Sequence, residues 1–87
     1  MYYTYISKKQ IGVIFSNWKR GNISLSEEHI KWLYDHCCEV KGYINNNARE
    51  DVLHTVKCAI DHIFSGEYAE AEEEIGHAFS AYHHIYA

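Results

Sequence analysis

The chain has 87 residues, of which 47% are hydrophobic and 23% charged, with a net charge of −4. That composition fits one globular domain spanning 1–87, whose small core buries about 60–65% of the unfolded surface. No apolar run approaches the ~18 residues of a membrane span, and the basic excess of a free nucleic-acid binder is missing.

Charge is uneven along the chain. Residues 1–42 carry a net +2 and residues 43–87 a net −6. The first ten residues, MYYTYISKKQ, place their charges after the apolar residues, the reverse of a signal peptide. The cysteine count is three, whereas a secreted disulfide scaffold prefers an even number. These features lead to the expectation of a cytoplasmic protein.

The sequence contains no proline, so glycine and asparagine punctuate it. Breaks at Gly21-Asn22, Asn45-Asn46-Asn47 and Gly66 divide it into four segments with helical periodicity. In the first, Ser7 and Gln10 form a capping box, and Ile11, Ile14, Phe15 and Trp18 follow as one stripe. Gly21 fits the left-handed stop. Before it, residues 1–6 favour extended structure and form an arm or an extra turn.

The second segment starts at Ser24 or Ser26, with Glu27 three residues after Ser24. Its stripe is Ile30, Leu33, Cys37, Val40 and Ile44. The third starts at Asn47, with Glu50 three later, and turns Val52, Val56, Ile60, Ile63 and Phe64 one way. The fourth begins near Glu67 and presents Tyr68, Ala71, Ile75, Ala78, Phe79 and Tyr82. Four amphipathic helices on short loops predict an all-α antiparallel bundle.

Gly66, Tyr68, Ala59, Ala71, Ala78 and Ile75 give segments three and four their closest likeness. Over about one repeat they resemble a tetratricopeptide hairpin, with small residues where two helices approach and Ile75 at the large apolar position. Thr55, Cys58 and His62 depart from that family's large apolar positions, and His83 stands where proline is common. The resemblance implies a close helical hairpin; the family's peptide groove needs about three stacked repeats.

Seven histidines raise the question of metal. His54, Cys58 and Asp61 share the outer face of segment three, and Glu73, His77 and His84 that of segment four. These donors suit zinc, yet both stripes also read as solvated faces. The chain lacks CxxC and HExxH, and it has a single ExxH (Glu74 to His77) where a di-iron bundle needs two. No metal or other cofactor is therefore expected. His36-Cys37-Cys38 sets an imidazole beside thiols, but Cys37 falls on the core stripe. No phosphate loop, nucleophile elbow or cofactor fingerprint is present, and a non-enzymatic protein is expected.

Two surfaces remain. His29, Trp32, His36 and Tyr43 widen the aromatic arc of segment two, as interface anchors do. Alternatively, Trp32 covers the N-terminal arm or a helix edge. Glu67, Glu70, Glu73 and Glu74 line segment four and would steer the chain toward a basic partner. Acids near a helix start also favour its dipole, which accounts for Glu67 and Glu70 better than for Glu73 and Glu74.

The expectation is a small regulator or inhibitor that docks on a larger host protein or complex, one that handles nucleic acid. In style it resembles the small proteins of phages and mobile elements. The alternatives are a nucleic-acid-contacting regulator using Lys8, Lys9, Lys19 and Arg20, a metal-binding bundle, and a homodimer sharing Trp32 as core. Direct nucleic-acid binding and membrane association are not expected.

Overall fold

Each of the first two helices starts at a serine whose hydroxyl caps it. The computed structural model describes residues 6–40, 43–44 and 50–86. Helix α1 spans Lys8–Lys19, α2 Glu27–His36, α3 Glu50–Phe64 and α4 Tyr68–Tyr86. The Ser7 hydroxyl accepts from Gln10 N at 3.1 Å while Gln10 Oε1 accepts from Ser7 N at 2.8 Å, completing the expected box. For α2 the cap is Ser26, not Ser24, and the reciprocal side chain is His29 rather than a glutamate. The Asn47 cap expected for α3 lies outside the described residues, as does the arm except for Ile6, which is buried.

The fold is an all-α bundle. α3 and α4 form its closest pair, α1 packs on α3 and α2, and α2 packs on α4. Ala59, Ala71 and Ala78 are buried at the hairpin interface with Val56, Ile60 and Ile75. Small side chains there bring the two backbones close, so a larger residue at Ala71 would overpack the seam by about 1–3 kcal/mol. Ile11, Ile14, Ile30 and Leu33 close the same core from α1 and α2. Among the described residues no helix is long and apolar enough to cross a membrane.

Three expectations need correction. α2 stops at His36, because Cys37 leaves the helical region at φ −121°. Glu39–Val40 and Tyr43–Ile44 then pair as a two-residue antiparallel ribbon, with Val40 opposite Tyr43. Val40 and Ile44 therefore do not continue a helical stripe. Continued as a helix, the chain would turn Cys38 ~100° away from Cys37 and its core stripe; past the end of α2 both are buried, each 1% exposed. Phe64 also leaves its stripe: it ends α3 and is 73% exposed.

Two glycines hold positive φ, Gly21 at 83° and Gly66 at 77°. Both close Schellman turns. After α1, Gly21 N donates to Trp18 O and Asn22 N to Asn17 O. After α3, Gly66 N donates to Ile63 O and Glu67 N to His62 O at 2.8 Å. The first turn is further fixed by Trp18 Nε1, which donates to Leu25 O at 2.6 Å. Ser24 N donates to Glu72 Oε1 at 3.0 Å, tying this loop to α4.

Candidate functional site

The aromatic residues of α2 meet α4 edge-on. Trp32 packs nearly perpendicular to Phe79, with centroids 5.4 Å apart, and lies 5.6 Å from Tyr82. His29 lies 4.2 Å from Phe79, and His36 5.1 Å from Tyr82. Tyr82 Oη and His36 Nδ1 are 3.2 Å apart and share a hydrogen bond. At 4% exposure, Trp32 is an interior residue of the α2–α4 seam. The helix-edge role is therefore the one its position fits, and it offers no exposed anchor in this conformation. Its indole Nε1 is buried with no hydrogen-bond partner among the described residues. His29 and His36 are half-buried; His29 also serves the α2 cap, with Nδ1 2.6 Å from the Ser26 hydroxyl. Tyr43 is in the ribbon, and its side chain lies outside the described set. Over the seam is an open hollow of about 200 Å³, rimmed by Glu28, Lys31, Asp35 and His36.

The acidic residues gather more tightly than their helical spacing suggests. Glu67, Glu70 and Glu73 are exposed, whereas Glu74 is half-buried and pairs with His62 of α3. The Schellman turn brings this about by seating Glu67 over the last carbonyls of α3, next to His62. His62 Nδ1 hydrogen-bonds Glu74 Oε1. His62 Nε2 lies 3.4 Å from Glu70 Oε2 and 3.9 Å from Glu67 Oε2. The hydrogen bond to Glu74 is the main reason the imidazole pKa is raised above its ordinary value. The negative charges of Glu74, Glu70 and Glu67 add to the rise, and partial desolvation opposes it. Glu73 joins Glu70, Glu74 and His77 around a second open hollow, of about 270 Å³.

His62 does not stand out in the sequence, because each candidate metal stripe runs along a single helix. The pattern His62-x3-Gly66-Glu67 carried the signal. Glycine as the left-handed stop of a Schellman turn places the residue four before it beside the residue after it. Of the faces considered earlier, His54 Nε2 and Cys58 Sγ approach to 3.6 Å. Among the described residues, the set whose donor atoms lie within 4.8 Å of one another is instead His62, Glu67 and Glu70.

Burial pushes the Cys37 thiol pKa far up, and the neighbouring Cys38 adds to this. Cys37 therefore stays protonated at neutral pH and serves as a small apolar core residue. Cys38 is equally enclosed, its Sγ donating to Tyr34 O at 3.2 Å. The exposed cations Lys8 and Lys9 begin α1, and Lys19 and Arg20 end it. Lys19 stands eleven positions after Lys8, about 16 Å along the axis, so the two pairs sit at opposite ends of α1.

Compared with known protein families, curated proteins and solved structures, the chain matches none.

Proposed function

We propose that this chain is a non-enzymatic protein-binding module, a small regulator or inhibitor that docks on a larger protein or complex. Its docking surface is the end of the bundle formed by the α3–α4 turn. The observation that carries the reading is Phe64, a large apolar side chain 73% exposed, three residues before the exposed Glu67 and six before the exposed Glu70. An exposed aromatic residue followed closely in sequence by exposed acids combines an anchor with the charge that steers a protein interface. The acids favour a partner with a basic surface, such as a host complex that handles nucleic acid, in the manner of small phage and mobile-element proteins. In this reading Trp32, His29 and His36 set the edge of α2 from within, and Glu73 extends the acidic face.

The test is a pull-down at low and high salt with wild type, Phe64→Ser, the Glu67→Gln/Glu70→Gln/Glu73→Gln triple variant, and Trp32→Ala. A partner retained by wild type, lost by folded Phe64→Ser and weakened by the triple variant or by salt supports the reading. Capture that survives both surface variants overturns it. Capture lost only with Trp32→Ala, together with a lower melting temperature, reports damage to the fold.

A further inference from the structure

The α3–α4 turn carries a second property that needs no protein partner. Four titratable side chains converge there from α3, the turn and α4. His62 comes from the last turn of α3; Glu67 comes from the turn itself, and Glu70 and Glu74 from the first two turns of α4. Their ion-pair contacts are with one another: among the described residues no lysine or arginine pairs with any of them. Three carboxylates therefore face one imidazole, leaving an excess of negative charge that a divalent cation would neutralise.

The two nitrogens of His62 have different surroundings. Nδ1 is taken by Glu74, which fixes the ring's orientation and, in the neutral imidazole, places the proton on that side. The lone pair then lies on Nε2, which points at Glu70 and Glu67. A carboxylate behind a histidine whose other nitrogen faces further donors is the usual arrangement of a metal-bound imidazole. The spacing also fits. A tetrahedral zinc ion with bonds of 2.0–2.2 Å holds its ligand atoms about 3.3–3.6 Å apart. Nε2 lies 3.4 Å from Glu70 Oε2 and 3.9 Å from Glu67 Oε2, and the three donor atoms fall within 4.8 Å of one another. Glu67 and Glu70 side chains are 52% and 62% exposed, so small rotations suffice to close the set, and the fourth position opens to water.

We propose that His62 Nε2, Glu67 and Glu70 form a three-ligand site for a divalent cation of the zinc class, with Glu74 as the positioning carboxylate behind the imidazole. The chemistry of the donors sets the preference. One imidazole with two carboxylates suits zinc better than magnesium or calcium, which take oxygen alone. The site clamps α3 to α4 across the turn. It shares Glu67 and Glu70 with the proposed docking surface, but it is read on the isolated chain, so the two readings fail separately.

The test titrates the untagged, chelator-treated chain with Zn²⁺ by calorimetry at neutral pH, alongside Co²⁺ absorption. The expected result is one equivalent bound, a raised melting temperature, and a shift of the His62 Nε2 resonance on metal addition. Binding should be lost in His62→Ala and in Glu67→Gln/Glu70→Gln, and Glu74→Gln should weaken it ~10-fold or more. His77→Ala and the His54→Ala/Cys58→Ser pair should leave it unchanged. The glutamine pair lies on the surface, so it keeps the test valid should His62→Ala fail to fold. No saturable binding, or binding that persists in the glutamine pair, overturns the proposal. So does binding lost with His54 and Cys58, which would place the ion on the outer face of α3.

Discussion

The C-terminal ends of α1 and α3 share one backbone motif and differ in what it holds. Each closes with a glycine at positive φ and the same pair of crossing backbone hydrogen bonds. After α1 the two residues brought together are Asn17 and Asn22, and Asn22 Nδ2 donates to Asn17 Oδ1 at 2.8 Å. Asn17 is 9% exposed and also donates to Val13 O at 2.8 Å. After α3 the equivalent residues are His62 and Glu67, on the surface among further carboxylates. A hydrophobic contact usually accompanies this turn; here both turns use polar pairs instead. One pair is neutral and built into the fold, and the other changes its charge with the solution. Identical backbone geometry thus gives a fixed joint at one end of the bundle and a responsive one at the other.

The largest expected effect comes from breaking the fixed joint. Asn17→Ala removes both side-chain hydrogen bonds and leaves a small void, at a cost of about 2 kcal/mol. Chemical denaturation should report that loss at every pH, whereas His62→Ala should cost less and depend on pH.

Next come the two glycines. A Cβ at Gly21 or Gly66 would meet no atom within 4 Å, so Gly21→Ala and Gly66→Ala test the left-handed backbone alone, at about 1 kcal/mol each. Similar losses at the two sites would confirm that the motif is energetically the same and that only the side chains differ. A loss far greater at Gly66 would mean that its turn carries more than backbone strain.

The smallest effect is the most specific. Because the folded-state pKa of His62 is raised, the protonated ring favours the fold. That contribution is fully present below the unfolded histidine pKa of about 6.5 and is lost as pH rises through the higher folded value. In chelator-treated protein, stability should therefore fall across this window, and less so in high salt. His62→Asn with Glu67→Asn, which copies the α1 joint onto the α3 end, should flatten the profile. A wild-type profile that is already flat would remove the distinction drawn between the two ends.

Much of the frame was legible in the sequence. The Ser7–Gln10 box and the Gly21 stop follow from local chemistry that needs no knowledge of distant contacts, whereas the turn at Gly66 and the Ala59, Ala71, Ala78 seam were legible through the resemblance to a helical hairpin. The end of α2 was hidden, because Cys37, Val40 and Ile44 keep a helical spacing while the chain has already left the helix. Phe64 likewise continues the α3 stripe by number, but it is the last residue of the helix and is left largely exposed. Trp32 looked like an outward anchor because its partners, Phe79 and Tyr82, lie nearly fifty residues away. The His62 cluster was hidden for a different reason: periodicity along a helix cannot bring together residues that meet across a turn. Buried Asn17 gives no signal in the sequence either, since asparagine near a helix end ordinarily faces water.

The enclosure of Cys37 and Cys38 makes the protein its own conformational counter. Of the three thiols, those two are shut in the core and Cys58 reaches the surface. A maleimide dye added to the native chain marks a single position on α3, giving a uniform probe without any engineered cysteine. The other two react only when the core around them opens. The mass of the labelled chain therefore records, molecule by molecule, whether that part of the core has opened.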